Sequence, residues 1–362
     1  MAGILSHADF LKATRDVRMV PKETLLNETT KNTYFFFSKM MKGAEDSFRG
    51  GTKLVDKIQG SAAGTFSFYN PNDEFSPSQN DTLVPIEVNW AFGESHYVII
   101  RETAALNSGD PNAYLDYVKS LEQACVVDTV NGMEEALWAG PNPDTMESST
   151  ATTREAYSIP CFVTRDGLEP SGSIDNATDP WSTIETVDPG NDTWFKNKFG
   201  TYTASDPTHA VTGLIPAFDD IVLQTQFETP DPLTKYSESE SAQKNVIVTN
   251  RDGIVAYKKA LRAVNDRMDS LQDPQIRGPQ YEGVPLKYVA ECDNLGWTDD
   301  KPDYLFLNLN YLKPFFHTGM YMDEVITDGG SKQPNSTVVY KFTWYNLLCR
   351  SRRRQGRIYS SD

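Results

Sequence analysis

The chain has 362 residues, of which 39% are hydrophobic and 23% are charged, and its formal net charge is −16. These proportions are typical of a folded globular protein and exclude a disordered chain, a collagen-like repeat and a disulfide-stabilised miniprotein. No stretch reaches the roughly 18 to 20 uncharged apolar residues of a membrane span, and charges occupy the N-terminus where a signal peptide has an apolar run. We therefore expect a soluble protein in the cytoplasm, without contact to a membrane.

Charge is distributed unevenly along the chain. Residues 1–60 hold ten Lys and Arg against seven Asp and Glu, and residues 340–362 hold six against one, so the acidic excess lies in the middle. An acidic body repels phosphates, which argues against sequence-specific recognition of nucleic acid as the main activity. The C-terminal arginines are interpreted as a solvated tail or as partners of acidic neighbours, and contact with nucleic acid is the alternative.

The first 49 residues are predicted to form an N-terminal arm. Short apolar clusters, Phe35-Phe36-Phe37 and Met40-Met41, alternate there with many charges. Such a segment has too little apolar surface to fold alone. We expect it to lie against another part of the protein or against a neighbouring subunit.

Residues 50–100 are predicted to form a long β-hairpin. Ile86, Val88 and Trp90 alternate with polar residues as in a half-buried strand, and the segment NPNDEFSPSQND has the composition of an elaborate turn. An isolated hairpin is marginally stable in water, so this one must pack on a partner surface.

A long amphipathic helix is predicted over residues 111–138. Asp110 is a suitable N-cap, Pro111 suits the first helical position, and Gly140 follows the end. Apolar residues recur at helical spacing from Leu115 to Leu137, which indicates one buried face.

The remaining elements alternate between helices and strands. The sequence predicts a strand at 159–164 within a loop-rich region, a helix at 211–227, strands at 245–249, 284–290 and 304–309, a helix at 252–268, and a long final strand at 337–349. This order favours an α+β protein that contains a compact α/β module.

Familiar catalytic motifs are absent from the sequence. The four cysteines lie tens of residues apart and no histidine has metal-ligand spacing, so we predict no catalytic residue, no cofactor and no metal site. Asp299, Asp300 and Asp303 could hold a hard cation but are interpreted as a solvated turn. The alternative function is a soluble acidic carbohydrate hydrolase that uses paired carboxylates, a reading that rests on composition alone.

Several blocks of sequence, in order, resemble a known family. These are residues 68–109, DTWFKNKFG (192–200), NVIVTNRDGIVAYKKAL (245–261), DYLFLNLNYLKPFFH (303–317) and FTWYNLLCRSRRRQGRI (342–358). Together with the order of arm, hairpin, long helix, α/β module and final strand, they resemble the major capsid protein of tailed double-stranded DNA bacteriophages. The fold of that family is named after Hong Kong 97.

The resemblance implies an α+β Hong Kong 97-like capsid fold. The implied parts are an N-terminal arm (1–49), an extended loop (50–100), a peripheral domain (101–204) with a spine helix (111–138), an axial domain (205–315), and a return to the peripheral domain with a final strand and a basic C-terminus (316–362).

The resemblance also implies a structural protein without enzymatic activity, which forms hexamers and pentamers of an icosahedral virion shell around double-stranded DNA. Its partners would be itself, portal and scaffolding proteins, packaged DNA bound without sequence specificity, and a possible decoration protein. Assembly would take place in the cytoplasm of the host bacterium. The tip of the loop, residues 70–81, contains no lysine, so we expect non-covalent reinforcement of the shell.

Candidate contact residues follow from the same resemblance. In the loop, the predicted inter-subunit contacts are Phe66, Phe68, Tyr69, Asp73, Glu74 and Phe75. The predicted basic residues that face a neighbouring subunit or the genome are Arg49, Lys53, Arg350, Arg352, Arg353, Arg354 and Arg357.

Overall fold

The computed structural model describes residues 34–40, 47–48, 51–60, 66, 68, 82–102, 111–148, 152–175, 178, 181–227, 245–264, 279–293, 301–328 and 335–361. The strands within these ranges are β1 (Ser47–Phe48), β2 (Lys53–Gln59), β3 (Leu83–Asn89), β4 (Ala91–Ile100), β5 (Lys198–Tyr202), β6 (Asn245–Thr249), β7 (Gln280–Tyr281), β8 (Val284–Tyr288), β9 (Tyr304–Asn308), β10 (Leu312–His317), β11 (Asp323–Asp328), β12 (Ser336–Cys349) and β13 (Gly356–Ser360). The α-helices are α1 (Pro111–Leu137), α2 (Pro143–Met146), α3 (Ile159–Phe162), α4 (Gly172–Asp175), α5 (Leu214–Thr225) and α6 (Arg251–Val264). Short π- or 3₁₀-helices occupy Phe36–Met40, Thr193–Phe195, Ala290–Asp293 and Arg352–Arg354.

A five-stranded sheet is organised around the long strand β12. This strand pairs antiparallel with β4 from Ser336 to Tyr345, and also with β11 and then β10. The short strand β1 adds to β10 in parallel. The predicted final strand is therefore confirmed, and it is the central strand of this sheet.

The long helix α1 covers one face of the five-stranded sheet. Val118 and Cys125 of the helix pack with Tyr97, Ile99 and Val339 of the sheet in one buried cluster. The helix predicted over 111–138 is thus confirmed at Pro111–Leu137. Its burial follows from the apolar stripe, because residues at helical spacing share one face.

A six-stranded sheet has the order β5-β13-β9-β6-β8-β7. Every residue of β6 and of β9 is buried, because the two faces of these strands pack against different clusters. Val246 and Val248 belong to the main core, whereas Ile247 lies in a second core with Phe218 of α5 and Tyr257 of α6. Continuous apolar runs are typical of strands covered on both sides.

The last strand, β13, lies outside the sheet of β12. It joins the six-stranded sheet between β5 and β9. Gly356 permits this insertion, since a Cβ atom there would lie 2.9 Å from the side chain of Ile221.

The two-stranded hairpin is shorter than predicted over 50–100. Strands β2 and β3 pair with each other, whereas β4 pairs along its whole length with β12 of the five-stranded sheet. Residue Trp90 separates β3 from β4 and is itself buried. The chain therefore leaves the hairpin and enters the main sheet without an intervening loop.

The prediction of a strand over residues 159–164 is wrong. Ile159–Phe162 forms one short helical turn instead. Pro160 explains the difference, because its ring presets φ for a first helical turn and it has no N–H for a sheet. The helix at 211–227 and the strands at 245–249, 284–290 and 304–309 are confirmed within a few residues.

Candidate assembly surfaces

The inner face of the hairpin rests on its own subunit. Leu54, Ile86 and Val88 are buried in the main core. At the end of this contact, a Cβ atom on Gly60 would lie 2.6 Å from an indole carbon of Trp194, so only glycine fits there. The described strands of the hairpin are therefore fixed against the core of their own subunit.

A tight turn beneath the hairpin holds two non-glycine residues at positive φ. Glu185 has φ 53° and Thr186 has φ 69°, and hydrogen bonds of 2.8 and 2.9 Å between Ile184 and Val187 close the turn. Non-glycine residues rarely occupy this region because the side chain crowds the backbone. The surrounding contacts of the turn must therefore hold it in place.

Glu185 joins the hairpin to the end of the central strand. Its backbone carbonyl accepts a hydrogen bond from the N–H of Glu87 in β3 (3.2 Å), and its Oε1 accepts one from the N–H of Cys349 in β12 (2.7 Å). Burial raises the pKa of Glu185 to about 8. Its Oε2 has no hydrogen-bond partner in the part of the chain that the structure describes.

Two ion pairs also connect the hairpin base. Arg350 Nε lies 2.7 Å from Asp56 Oδ2 and links the residue after β12 to strand β2. Lys53 Nζ lies 3.0 Å from Glu87 Oε2 and links β2 to β3 across the outer face. The predicted contact residue Lys53 is thus engaged within its own hairpin.

Beyond the base, the predicted contact residues Phe66 and Phe68 are almost fully exposed. Their side chains are 83% and 93% exposed, and their rings pack edge to face at 5.2 Å. Paired exposed aromatic rings are typical of a surface that another molecule covers. Tyr69, Asp73, Glu74, Phe75 and Arg49 lie outside the described residues, so their contact roles stay predictions.

The five-stranded sheet presents a second aromatic surface on the face opposite to α1. Tyr340 and Phe342 of β12 stack at 6.0 Å, and Trp344 packs edge to face with Phe92 of β4 at 4.9 Å. Lys341, between them in sequence, points to the other face and pairs with Glu122 of α1. The alternation of the strand therefore separates a helix-covered face from an aromatic one.

The described part of the predicted arm packs on its own subunit. Phe35 and Phe36 are buried, and their backbone N–H groups donate to Glu134 of α1 at 3.0 and 2.8 Å. Trp138 Nε1 donates to the same carboxylate at 3.1 Å. Burial raises the pKa of Glu134, and these three donors oppose that shift because they favour the charged form.

For Arg357, the prediction of a residue that faces a neighbour or the genome is wrong. Arg357 is buried and its guanidinium contacts Asp303 (2.7 Å) and Asp175 (3.0 Å). Arg165 also contacts Asp303, at 3.1 Å. Asp303 is fully buried, so the interpretation of this residue as part of a solvated turn is wrong as well.

Arg352 requires the same correction. It is fully buried and donates to the carbonyl oxygens of Phe162 and Leu168 and to Oδ1 of Asn197, at 2.9 to 3.1 Å. Its role is to connect the C-terminal segment with the loop-rich region of the core. Arg353 is exposed, whereas Arg350 and Arg354 are half-buried.

Two carboxylates and the four cysteines that could serve catalysis are buried. Asp175 and Asp303 share an arginine, but both side chains are sealed from solvent, so this pair of carboxylates cannot meet a sugar substrate. The four cysteines are free and buried, and burial raises the pKa of the Cys161 thiol to about 12, which keeps it protonated. Within the described ranges, no cluster of His, Cys, Asp and Glu could hold a metal ion, and no helix is long and apolar enough to cross a membrane.

Sequence reasoning missed three residues that organise these surfaces. Asp56, Glu134 and Glu185 each join elements that are distant in the chain, and nothing in their local sequence distinguishes them from solvated acids. The one available signal was that Glu134 lies near the apolar stripe of a predicted helix, four residues before Trp138.

Comparison with known proteins finds similarity in structure at low sequence identity. No family model matches it, and no curated protein matches it. A chain of the cyanophage A-1(L) capsid asymmetric unit is similar over 96% of this chain and 98% of its own, with 10% identity and a TM-score of 0.61. The capsid of a native GTA particle is similar over 97% of this chain and 98% of its own, with 11% identity and a TM-score of 0.55. The chain therefore has the Hong Kong 97-type fold over nearly its whole length, as the resemblance in sequence predicted.

Proposed function

We propose that the chain is a phage-type major capsid protein, a structural subunit that forms hexamers and pentamers of an icosahedral shell around double-stranded DNA. The observation that carries this proposal is the likeness to two capsid chains over 96% and 97% of the sequence. The hairpin supports it independently, because its base is anchored while Phe66 and Phe68 are exposed.

In this proposal, the hairpin contributes to assembly by reaching an adjoining copy. A contact between the hairpin of one copy and a different surface of the next is heterologous, and such contacts close into rings under cyclic symmetry. Covering the two exposed phenylalanine rings removes apolar area from water. Each copy in a shell has several neighbours, so weak individual contacts are reinforced through multivalency.

The proposed division of the chain keeps the parts that the resemblance implied. The extended loop is proposed within residues 50–100, where β2 and β3 form the hairpin and Ala91–Ile100 belongs to the five-stranded sheet. Residues 101–204 with 316–362 are proposed to contain the peripheral domain, and 205–315 the axial domain. The proposed loop contacts are Phe66, Phe68, Tyr69, Asp73, Glu74 and Phe75. Of the proposed basic contacts, Arg49, Lys53, Arg350, Arg353 and Arg354 remain.

The proposed location is the virion, with assembly in the cytoplasm of a host bacterium. Portal and scaffolding proteins, and a decoration protein, are proposed partners. Packaged DNA would be enclosed without sequence specificity. The net charge of −16 supports this role, because an acidic wall does not bind phosphates tightly while DNA enters and leaves.

Assembly of the purified chain tests the proposal. We expect sedimentation velocity and electron microscopy to show rings or closed shells, and a chain that remains a monomer or dimer at all concentrations would contradict it. Deleting residues 70–82 should leave a folded subunit that assembles poorly.

A matched pair of substitutions sharpens this test. Phe66→Ser with Phe68→Ser should reduce assembly at least tenfold. The control, Val211→Ser with Val255→Ser, removes two other apolar side chains that are 76% and 45% exposed, and should assemble normally. Equal behaviour of the two variants would argue against a role of the hairpin in assembly.

A further inference from the structure

A small basic pocket lies at the C-terminal end of α5, where that helix meets β5 and the turn Arg352–Arg354. Its volume is about 190 Å³. The lining residues are Lys198, Gln224, Thr225, Gln226, Arg353 and Arg354. Three of these six side chains are cations and none is a carboxylate, although the protein as a whole carries a net charge of −16.

The position of Arg354 is explained by hydrogen bonds within its own subunit. Its Nη1 donates to the carbonyl oxygens of Thr225 (3.4 Å) and Gln226 (3.2 Å) and to Oε1 of Gln226 (2.7 Å). The last carbonyls of a helix lack intrahelical partners, and a cation there also offsets the negative end of the helix dipole. Arg354 therefore caps α5 and is held in one orientation.

Among the described residues, no comparable contact accounts for the charges of Lys198 and Arg353. Over the ranges that the structure describes, no carboxylate lies within salt-bridge distance of either side chain. Yet both backbones are held firmly, since Lys198 pairs with Gly356 in the parallel pair of β5 and β13, and Arg353 follows the fully buried Arg352. The fold thus brings two cations that have no counter-ions among the described residues beside a third.

This convergence of like charges is unfavourable in the isolated subunit. Burial lowers the pKa of Arg354, and the charge of Arg353 acts in the same direction. An anion in the pocket would offset the repulsion between these cations. Gln224 cannot supply one, because its amide is neutral. That amide donates a hydrogen bond to Asp220 (2.7 Å), which does not line the pocket.

The size of the pocket selects a compact anion. Sites for drug-sized ligands are typically about 300 to 1,000 Å³, so about 190 Å³ suits a single charged group. The guanidinium of Arg353 has the planar geometry that pairs with both oxygens of a carboxylate.

The charges of the protein favour a second copy of the chain as the source of the carboxylate. The chain carries 50 Asp and Glu against 34 Lys and Arg, so a second copy offers more carboxylates than cations as candidates for this pocket. A single carboxylate matches one compact site, whereas a polyphosphate backbone brings a continuous row of negative charges against an acidic body.

We propose that this pocket binds a carboxylate side chain of a second copy of the chain, with Lys198 and Arg353 as the pairing cations. The inference rests on the proposed shell function and adds to it a specific inter-subunit ion-pair site. Arg354 is a positioning residue, since its guanidinium is occupied by the end of α5.

Isotope-mixed cross-linking provides a direct test. Shells formed from equal amounts of ¹⁵N-labelled and unlabelled chain, free of nucleic acid, are treated with a carbodiimide, which joins an amine directly to a carboxylate in contact with it. Mass spectrometry of the wild type should show Lys198 joined to Asp or Glu of the other isotope. The variant Arg353→Lys places a second amine at the pocket and should yield a second link to the same carboxylate.

The outcomes separate the pocket from the shell. The pocket proposal alone would be overturned if Lys198 formed no cross-link, or formed cross-links only within one chain. It would also be overturned if cross-links between chains were no more frequent at Lys198 than at the exposed Lys258 of α6. A wild type that forms no oligomer contradicts the shell function and, with it, this inference.

Charge reversal gives a second measurement. Lys198→Glu with Arg353→Glu should lower the assembled fraction at least tenfold, whereas the control Lys258→Glu with Lys259→Glu, which makes the same change of charge, should stay within twofold of the wild type. Equal losses in both variants, or no loss in either, would overturn the proposal. A loss of assembly that appears only when DNA is added would assign the pocket to phosphate instead, and would also overturn it.

Discussion

Two arginines near the C-terminus form ion pairs of the same length in different surroundings. Arg357 Nη2 lies 2.7 Å from Asp303, and the two side chains are 4% and 0% exposed. Arg350 Nε lies 2.7 Å from Asp56, and those side chains are 29% and 25% exposed. The distances are equal, so what distinguishes the junction inside the core from the joint at the hairpin base is burial and the two further partners, Arg165 and Asp175, of the buried pair.

The difference has a physical consequence for stability. Breaking a buried pair leaves an uncompensated charge in a medium of low polarity, whereas water solvates the survivor of a partly exposed pair. The buried junction therefore holds the loop-rich region, β9 and β13 together as one unit. The hairpin joint can open at low cost, which suits an element proposed to adjust to a neighbouring copy.

Removing the shared carboxylate should have the largest effect. Asp303→Ala leaves Arg165 and Arg357 buried with one fewer counter-ion, and we expect a loss of about 3 to 5 kcal/mol in the free energy of unfolding. Urea denaturation of the unassembled subunit measures it. The control Asp128→Ala changes an exposed acid on α1 and should stay within about 0.5 kcal/mol. A loss below about 1 kcal/mol in Asp303→Ala would show that burial does not decide the value of this pair.

The pH dependence at Glu185 should be the next largest effect. Its pKa of about 8 lies above the ordinary value, so the protonated carboxyl favours the folded state. Its contribution is present at low pH and is lost as the pH rises toward about 8. One pKa unit corresponds to about 1.4 kcal/mol, which places the change on the order of a few kcal/mol.

The variant Glu185→Gln isolates this contribution. The amide keeps an acceptor for the N–H of Cys349 but cannot ionise, so the variant should lose less stability than the wild type between about pH 5 and pH 8.5. Urea denaturation at the two pH values measures the difference. If the free energy of unfolding changed equally with pH in the wild type and in Glu185→Gln, the pH dependence could not be assigned to Glu185.

A double-mutant cycle at the hairpin joint should give a smaller value. Asp56→Asn and Arg350→Gln, alone and together, should reveal a coupling free energy of about 0.5 to 1 kcal/mol, because solvent screens a partly exposed pair. Amide hydrogen exchange should become faster in β2 and β3 and stay unchanged in α1. A coupling as large as that expected for the buried junction would remove the contrast between the two sites.

The smallest effect is expected at the outer face of the hairpin. Lys53 and Glu87 are 43% and 37% exposed at their side chains. Lys53→Gln should therefore change the free energy of unfolding by less than about 0.5 kcal/mol. Thermal denaturation of the unassembled subunit checks this, and a marked loss of stability would indicate that the pair is shielded from solvent.

Local patterns predicted most of the secondary structure because they depend on residues close in the chain. The apolar stripe and the proline at its start predicted α1 to within one residue, and the apolar runs predicted β6 and β9. The turn at Ile159–Phe162 was missed, since its apolar residues fit a strand and only Pro160 indicated otherwise.

In the candidate assembly surfaces too, local sequence predicted some features and could not predict others. Exposure of Phe66 and Phe68 agrees with the predicted projecting loop, whose base is nevertheless shorter than expected. Five arginines between 350 and 357 looked equivalent in sequence, yet two are buried, one is exposed and two are half-buried. Their partners, such as Asp303 and Asp175, lie 54 and 182 residues away and could not be identified from local composition.

The sequence by itself determined the order of the elements, the long helix, the unevenly distributed charge and the Hong Kong 97-type fold, because each depends on local patterning or on the order of blocks. Only the tertiary structure decided which charges are buried, that β13 joins the six-stranded sheet, and that Glu185 holds the hairpin base. The physical reason is that the free energy of a charge or a strand edge depends on what surrounds it in space. For this protein, those surroundings come from segments that are distant in the chain, such as those 54 and 182 residues from Arg357.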